Sequence, residues 1–225
     1  MNNIVIVQGK TSWGEKKKLL DKIIDRYKIT ECFTIDELEQ NMQAELKKLK
    51  DKFYNGLKQY ITKTINYDVE RKKLTKIVNG VYTKANDILS VDVESFLNAY
   101  LGEGRWEYNG YSLARISGIT NQVFPQKYGV ISSKRISKDK QEFILKLYGL
   151  NYKYVVDLEL AKEKILTELI SYVDPYENDD INFLLKKAKD LRMEYSLFYL
   201  LNKTSSSERR EAFMKSEKIF LKNLM

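Results

Sequence analysis

Between Ile35 and Ile65 the apolar residues recur in steps of three and four: Ile35, Leu38, Met42, Leu46, Leu49, Phe53, Leu57, Tyr60, Ile61 and Ile65. Steps averaging about 3.67 residues match a nearly straight α-helix and keep the apolar side chains on one stripe. Thr34, with Glu37 three residues on, supplies a capping-box signature at the start. A helix over 35–65 would extend about 45 Å at ~1.5 Å per residue. Such a stripe must be covered, either by the chain's own core or by a second copy docking through helix 35–65. A further apolar pattern over 69–90 (Val69, Leu74, Ile77, Val78, Val81, Tyr82, Ala85, Ile88, Leu89) predicts the return arm of an antiparallel helical hairpin. A short helix over 92–101 follows.

The period changes after Gly102 and Gly104. Asn109-Gly110 lies between alternating residues and favours the positive backbone angles of a type I′ hairpin turn. Strands are expected at 128–132, 142–148 and 152–158, the last two joined through Gly149-Leu150-Asn151. Helices resume at 159–172, 179–201 and 207–223. At the front, 3–8 reads as a strand and 14–28 as a helix. The layout is α+β: an N-terminal helical hairpin layer, a central antiparallel β-meander of four to five strands, and C-terminal helices. It divides into a mainly helical scaffold, 1–103, and a basic β-meander with C-terminal helices, 104–225.

Charge singles out one segment. The chain carries a net +8, and residues 105–156 hold 9 basic against 3 acidic side chains, three-quarters of that excess. The same 52 residues contain nine aromatics. A solvated surface explains many of these lysines, and a buried sheet face many of the aromatics. Neither explains the local scarcity of acids, which asks for an anionic partner.

Absences limit the chemistry. With no histidine and a single cysteine, Cys32, the chain cannot build a Cys/His zinc site, a Ser-His-Asp triad, a Cys-His dyad or an intrachain disulfide. No stretch approaches the ~20 apolar residues of a membrane span, and the N-terminus lacks a signal-peptide pattern. The expectation is a cytoplasmic or otherwise intracellular protein, within a host cell or virion, without membrane association.

Residues 4–17, IVIVQGKTSWGEKK, resemble the entry to a phosphate-binding loop: an apolar run, Gly9, four residues, Gly14. The loop needs lysine and then a hydroxyl after the second glycine, and here Glu15 and Lys16 stand there. A carboxylate at that place repels phosphate. Ser12 and Glu15 instead have capping-box spacing. The acidic run from Asp174 to Asp180 lacks the alternate-residue spacing and closing glutamate of a calcium loop, and reads as a helix start. For a magnesium nuclease the available acids are Glu107, Asp139, Glu142, Asp157 and Glu159, without Glu-x-Lys on an expected strand. A Ser133–lysine pair is the remaining catalytic option.

The sequence therefore points to a non-enzymatic nucleic-acid-binding protein of phage or mobile-element type. The candidate contacts are Lys127, Ser133, Lys134, Arg135, Lys138 and Lys140 in one basic run, with Arg115, Trp106, Tyr108 and Tyr111. Cations would hold phosphates and aromatic faces would stack bases, as in single-strand binders. No catalytic residue, metal or cofactor is assigned, and the partner is DNA or RNA of either strand type. The alternative is a structural or inhibitory interaction protein, such as a virion component or a binder of an acidic host protein.

Overall fold

The described residues of the apolar stripe at 35–65 are buried, and they belong to two helices. The computed structural model describes residues 12–48, 56–120 and 128–222, and the chain forms two compact units, residues 1–103 and 104–225. The expected strand at 3–8, together with Leu49, Phe53, Phe124 and Lys127, lies outside the described residues.

In the first unit, α1 (Trp13–Asp25) starts at a capping box. Ser12 Oγ accepts the Glu15 N–H at 3.3 Å, and the Glu15 carboxylate accepts the Ser12 N–H at 2.7 Å. Strand β1 (Cys32–Thr34) runs directly into α2 (Ile35–Lys48), where Thr34 and Glu37 form a second such box. Helix α3 (Leu57–Glu70) begins anew after Gly56, whose left-handed backbone, φ 80°, does not continue a helix. Leu38, Met42 and Leu46 of α2 meet Leu57, Ile61 and Ile65 of α3 in one core with Leu20 and Ile23 of α1. All eight are fully buried, each stabilising the unit by about 1.5–3 kcal/mol. The described part of the stripe is thus covered within the unit itself.

The expected helix over 69–90 is a β-hairpin. Lys72 adopts φ 57° after α3, and β2 (Thr75–Val78) then pairs with β3 (Val81–Thr83) across Asn79-Gly80, with Gly80 at φ 85°. The sheet order is β1-β3-β2, antiparallel throughout. A 3₁₀ turn over Ile88–Ser90 leads to α4 (Val93–Leu101), where the Asp92 carboxylate accepts the Ser95 N–H at 2.7 Å.

The second unit holds β4 (Trp106–Tyr108), α5 (Gly110–Ile116), β5 (Tyr128–Ser132), α6 (Lys138–Tyr148), β6 (Leu150–Tyr154), α7 (Leu158–Tyr172), α8 (Asn178–Asp190), α9 (Glu194–Thr204) and α10 (Ser207–Lys222). Its sheet has the order β4-β5-β6, with β4 antiparallel and β6 parallel to β5. The four-to-five-strand meander is therefore replaced, among the described residues, by a mixed α/β arrangement of ten helices and two three-stranded sheets.

Two misread signals account for the difference. EFILKLY, expected as a strand, is the body of α6. Asp139 sits in its first turn, Lys146 in its last, and Gly149 (φ 66°) ends it by donating to the Leu145 carbonyl, a glycine stop after a helix and not a hairpin tip. Asn109-Gly110 is likewise a helix start. The Asn109 side chain accepts the Ser112 N–H at 2.9 Å, and Gly110 is there because a Cβ would overlap the backbone of Ile165 and Leu169 in α7. The expected helix over 179–201 is interrupted as well: Arg192 at φ 58° separates α8 from α9.

Candidate functional site

Strand β5 places the basic run. Because β4 is antiparallel and β6 parallel to it, Ser132 at the end of β5 sits opposite both Trp106, which opens β4, and Tyr154, which closes β6. Arg105, the β5–α6 connection and the end of β6 therefore share one edge of the sheet. Outside the carboxyl ends of adjacent parallel strands is where open α/β sheets bind ligands.

The edge is fixed by the buried Ser132. Its hydroxyl donates to the Arg105 carbonyl at 2.7 Å and accepts the Lys134 N–H at 3.1 Å. The Ser132 carbonyl accepts the Val155 N–H, and the Arg105 carbonyl also accepts the Ser133 N–H. The Tyr152 hydroxyl donates to the Lys134 carbonyl. Ile136 is buried, and its carbonyl accepts from the Gln141 side chain at 3.2 Å. Arg135 lays its guanidinium over the Tyr154 ring, 5.0 Å from the centroid, a cation–π contact that pre-positions it.

With the backbone pinned, the outward side chains are cationic. Arg105, Arg135, Lys138 and Lys140 are exposed, and Lys134 is half-buried. Burial, followed by the positive charges of Arg105 and Lys140, moves the Lys134 ammonium below the ordinary lysine range. Among the described residues, Arg105, Arg135, Lys138 and Lys140 form no ion pair with an acid. Asp139, in the first turn of α6, is the one carboxylate within the connection and that turn. The arrangement can hold an anion.

Ser133, Lys134, Arg135, Lys138 and Lys140 are thus brought together. Arg115 is not: it stacks on Tyr128 at 4.7 Å, at the other end of β5 and roughly 13 Å away at ~3.3 Å per residue. Tyr108 and Tyr111 lie in the core, Tyr111 edge-on to Tyr172 at 5.7 Å. Their rings are packing residues and offer no face to a base. Trp106 is half-buried against Tyr108, 5.2 Å between centroids. Arg105, Ser132, Tyr152 and Tyr154 belong to the edge without being singled out in the sequence. Arg105 was visible there as the residue that opens the basic segment; the roles of the others depend on the parallel pairing of β5 with β6.

Other chemistry finds less support. Asp157 caps α7 by accepting the Glu159 N–H at 2.8 Å, and Glu159 pairs with Lys162 at 2.6 Å. Glu107 is raised above the usual carboxylate range by burial, partly offset by Lys187 and Lys162. No group of three or more Asp, Glu or Cys residues is placed to hold a metal among the described residues. Burial pushes the Cys32 thiol up to about 12, with Asp92 and Glu37 adding to it, so it carries no thiolate at neutral pH. No described helix is long and apolar enough to cross a membrane.

Neither family models, nor curated proteins, nor solved structures give a match for the chain. The function must be argued from the edge itself.

Proposed function

We propose that the protein is a non-enzymatic nucleic-acid-binding protein whose contact surface is the carboxyl edge of β5 and β6. The observation that carries this reading is the gathering of Arg105, Lys134, Arg135, Lys138 and Lys140 around one rigid connection, with a single carboxylate among them. Like charges held together cost free energy in the unbound protein, and a polyanion relieves that cost. Burial of Tyr108 and Tyr111 favours contact with phosphates over stacking of bases.

The test is a mobility shift with labelled DNA and RNA oligonucleotides at about 50 mM salt. The unaltered chain should shift them, and joint replacement of Lys134, Arg135, Lys138 and Lys140 by glutamate should abolish the shift. Absence of a shift with either nucleic acid refutes the reading.

A second reading, a protein-interaction module, draws support from α9, which exposes Tyr195, Phe198 and Tyr199 on one face. It predicts self-association by light scattering that Phe198→Ser and Tyr199→Ser weaken and that oligonucleotide does not affect.

A further inference from the structure

We propose that the edge recognises a phosphomonoester, the terminal phosphate of a nucleic-acid strand, between Arg105 just before β4, Lys134 just after β5 and Lys140 in the first turn of α6. This deepens the nucleic-acid reading of the same edge and rests on it.

Lys134 and Lys140 come from the β5–α6 run, and the pairing of β4 with β5 brings Arg105 to them from about 30 residues earlier in the chain, so this meeting is a product of the fold. Arg105 and Lys134 cannot drift apart, because one buried hydroxyl, that of Ser132, bonds both of their backbones. Lys134 is half-buried, and its ammonium feels both Arg105 and Lys140, which locates the three charges within a few side-chain lengths of one another. Arg135 is held aside on Tyr154, leaving Arg105 as the planar fork suited to two phosphate oxygens.

A backbone phosphodiester brings a single negative charge, which neutralises only a part of such a cluster. A terminal phosphate approaches two charges above its second pKa of about 6 and offers three acceptor oxygens. Three cations gathered at one end of the sheet suit such a dianion better than a single charge. A long backbone, by contrast, is better tracked by cations spread along a groove than by cations crowded at one spot. The aromatic rings at this edge are engaged within the protein, Trp106 against Tyr108 and Tyr154 under Arg135, so a strand's end charge is a feature the site can detect without stacking a base.

The experiment uses the full chain and two 3′-labelled oligonucleotides of identical sequence, one with a 5′-phosphate and one with a 5′-hydroxyl, followed by fluorescence anisotropy, with inorganic phosphate as competitor. The phosphorylated strand should bind about tenfold more tightly or better, the worth of one well-made charged contact. Inorganic phosphate should displace it at concentrations at which chloride of equal ionic strength does not. Arg105→Gln and Lys134→Gln should each erase the preference, with circular dichroism confirming the fold, whereas Arg115→Gln, at the far end of β5, should preserve it. Equal affinity for the two strands overturns the terminal-phosphate proposal and leaves the nucleic-acid reading standing. Binding of inorganic phosphate without binding of either strand overturns both, because the proposed ligand is the end of a strand. Binding of neither phosphate nor strand overturns both.

Discussion

The Ser132 hydroxyl donates to the carbonyl oxygen of Arg105 at 2.7 Å, joining the end of β5 to the residue before β4. Because the same buried hydroxyl accepts the Lys134 N–H, Ser132→Ala takes that acceptor from the Lys134 N–H and one of two donors from the Arg105 carbonyl, which keeps the Ser133 N–H. The loss should be about 1–3 kcal/mol, read as a lower midpoint in urea. Anion affinity should also fall, since Arg105 and Lys134 lose their shared anchor. Unchanged stability and affinity would contradict the role given to Ser132.

Gly110 and Gly14 make a matched pair. A Cβ at Gly110 meets the backbone of α7, while one at Gly14 in α1 meets nothing within 4 Å. Gly110→Ala should therefore destabilise by about 1–3 kcal/mol through overpacking. Gly14→Ala should stabilise by about 0.5–1 kcal/mol, since alanine is the better helix former. Thermal melts of the two variants should move in opposite directions.

The depressed pKa of Lys134 gives a pH dependence of definite sign. Anion binding needs the charged ammonium, so affinity should fall as pH rises through the lowered Lys134 value, before ordinary lysines titrate near ~10.4. Within that window the unfolded chain holds more protons than the folded one, so stability should rise with pH as the repulsion with Arg105 and Lys140 is relieved. Lys134→Arg should retain affinity to higher pH, because guanidinium stays protonated. Anisotropy titrations at several alkaline pH values test the affinity statements, and urea midpoints over the same pH range test the stability statement.

Cys32 should be inert in the folded protein. It is buried, with its thiol held up to about 12, and reaction requires the thiolate. A disulfide reagent should label the native chain far more slowly than the chain in denaturant. Equal rates would contradict its burial.

Much of the helical structure was legible because its signals are local. Ser12 with Glu15 and Thr34 with Glu37 announced two helix starts through reciprocal hydrogen bonds, and the stripe from Ile35 identified the face that forms the core. What a stripe does not report is an interruption along its length, here a division between α2 and α3. Asn-Gly misled in both directions: at 109–110 it starts a helix packed tightly on α7, and at 79–80 it turns the hairpin of β2 and β3. The difference lies in tertiary surroundings, with Gly110 against Ile165 and Gly80 in open space at positive φ. For the site, the basic run was visible as charge. The burial of Tyr108 and Tyr111 and the approach of Arg105 depend on how β4, β5 and β6 are ordered, and residue spacing does not encode strand order.

The most direct test of the central claim is the salt dependence of oligonucleotide binding, measured by anisotropy for the unaltered chain and for one carrying glutamine at Lys134, Arg135, Lys138 and Lys140. Each neutralised phosphate contributes a slope of about −0.7 to −0.9 in log K against log salt. The account predicts a slope steeper than about −2 for the unaltered chain and a much flatter one, with weaker binding, for the variant. Identical slopes for the two proteins, or no binding by either, would contradict it.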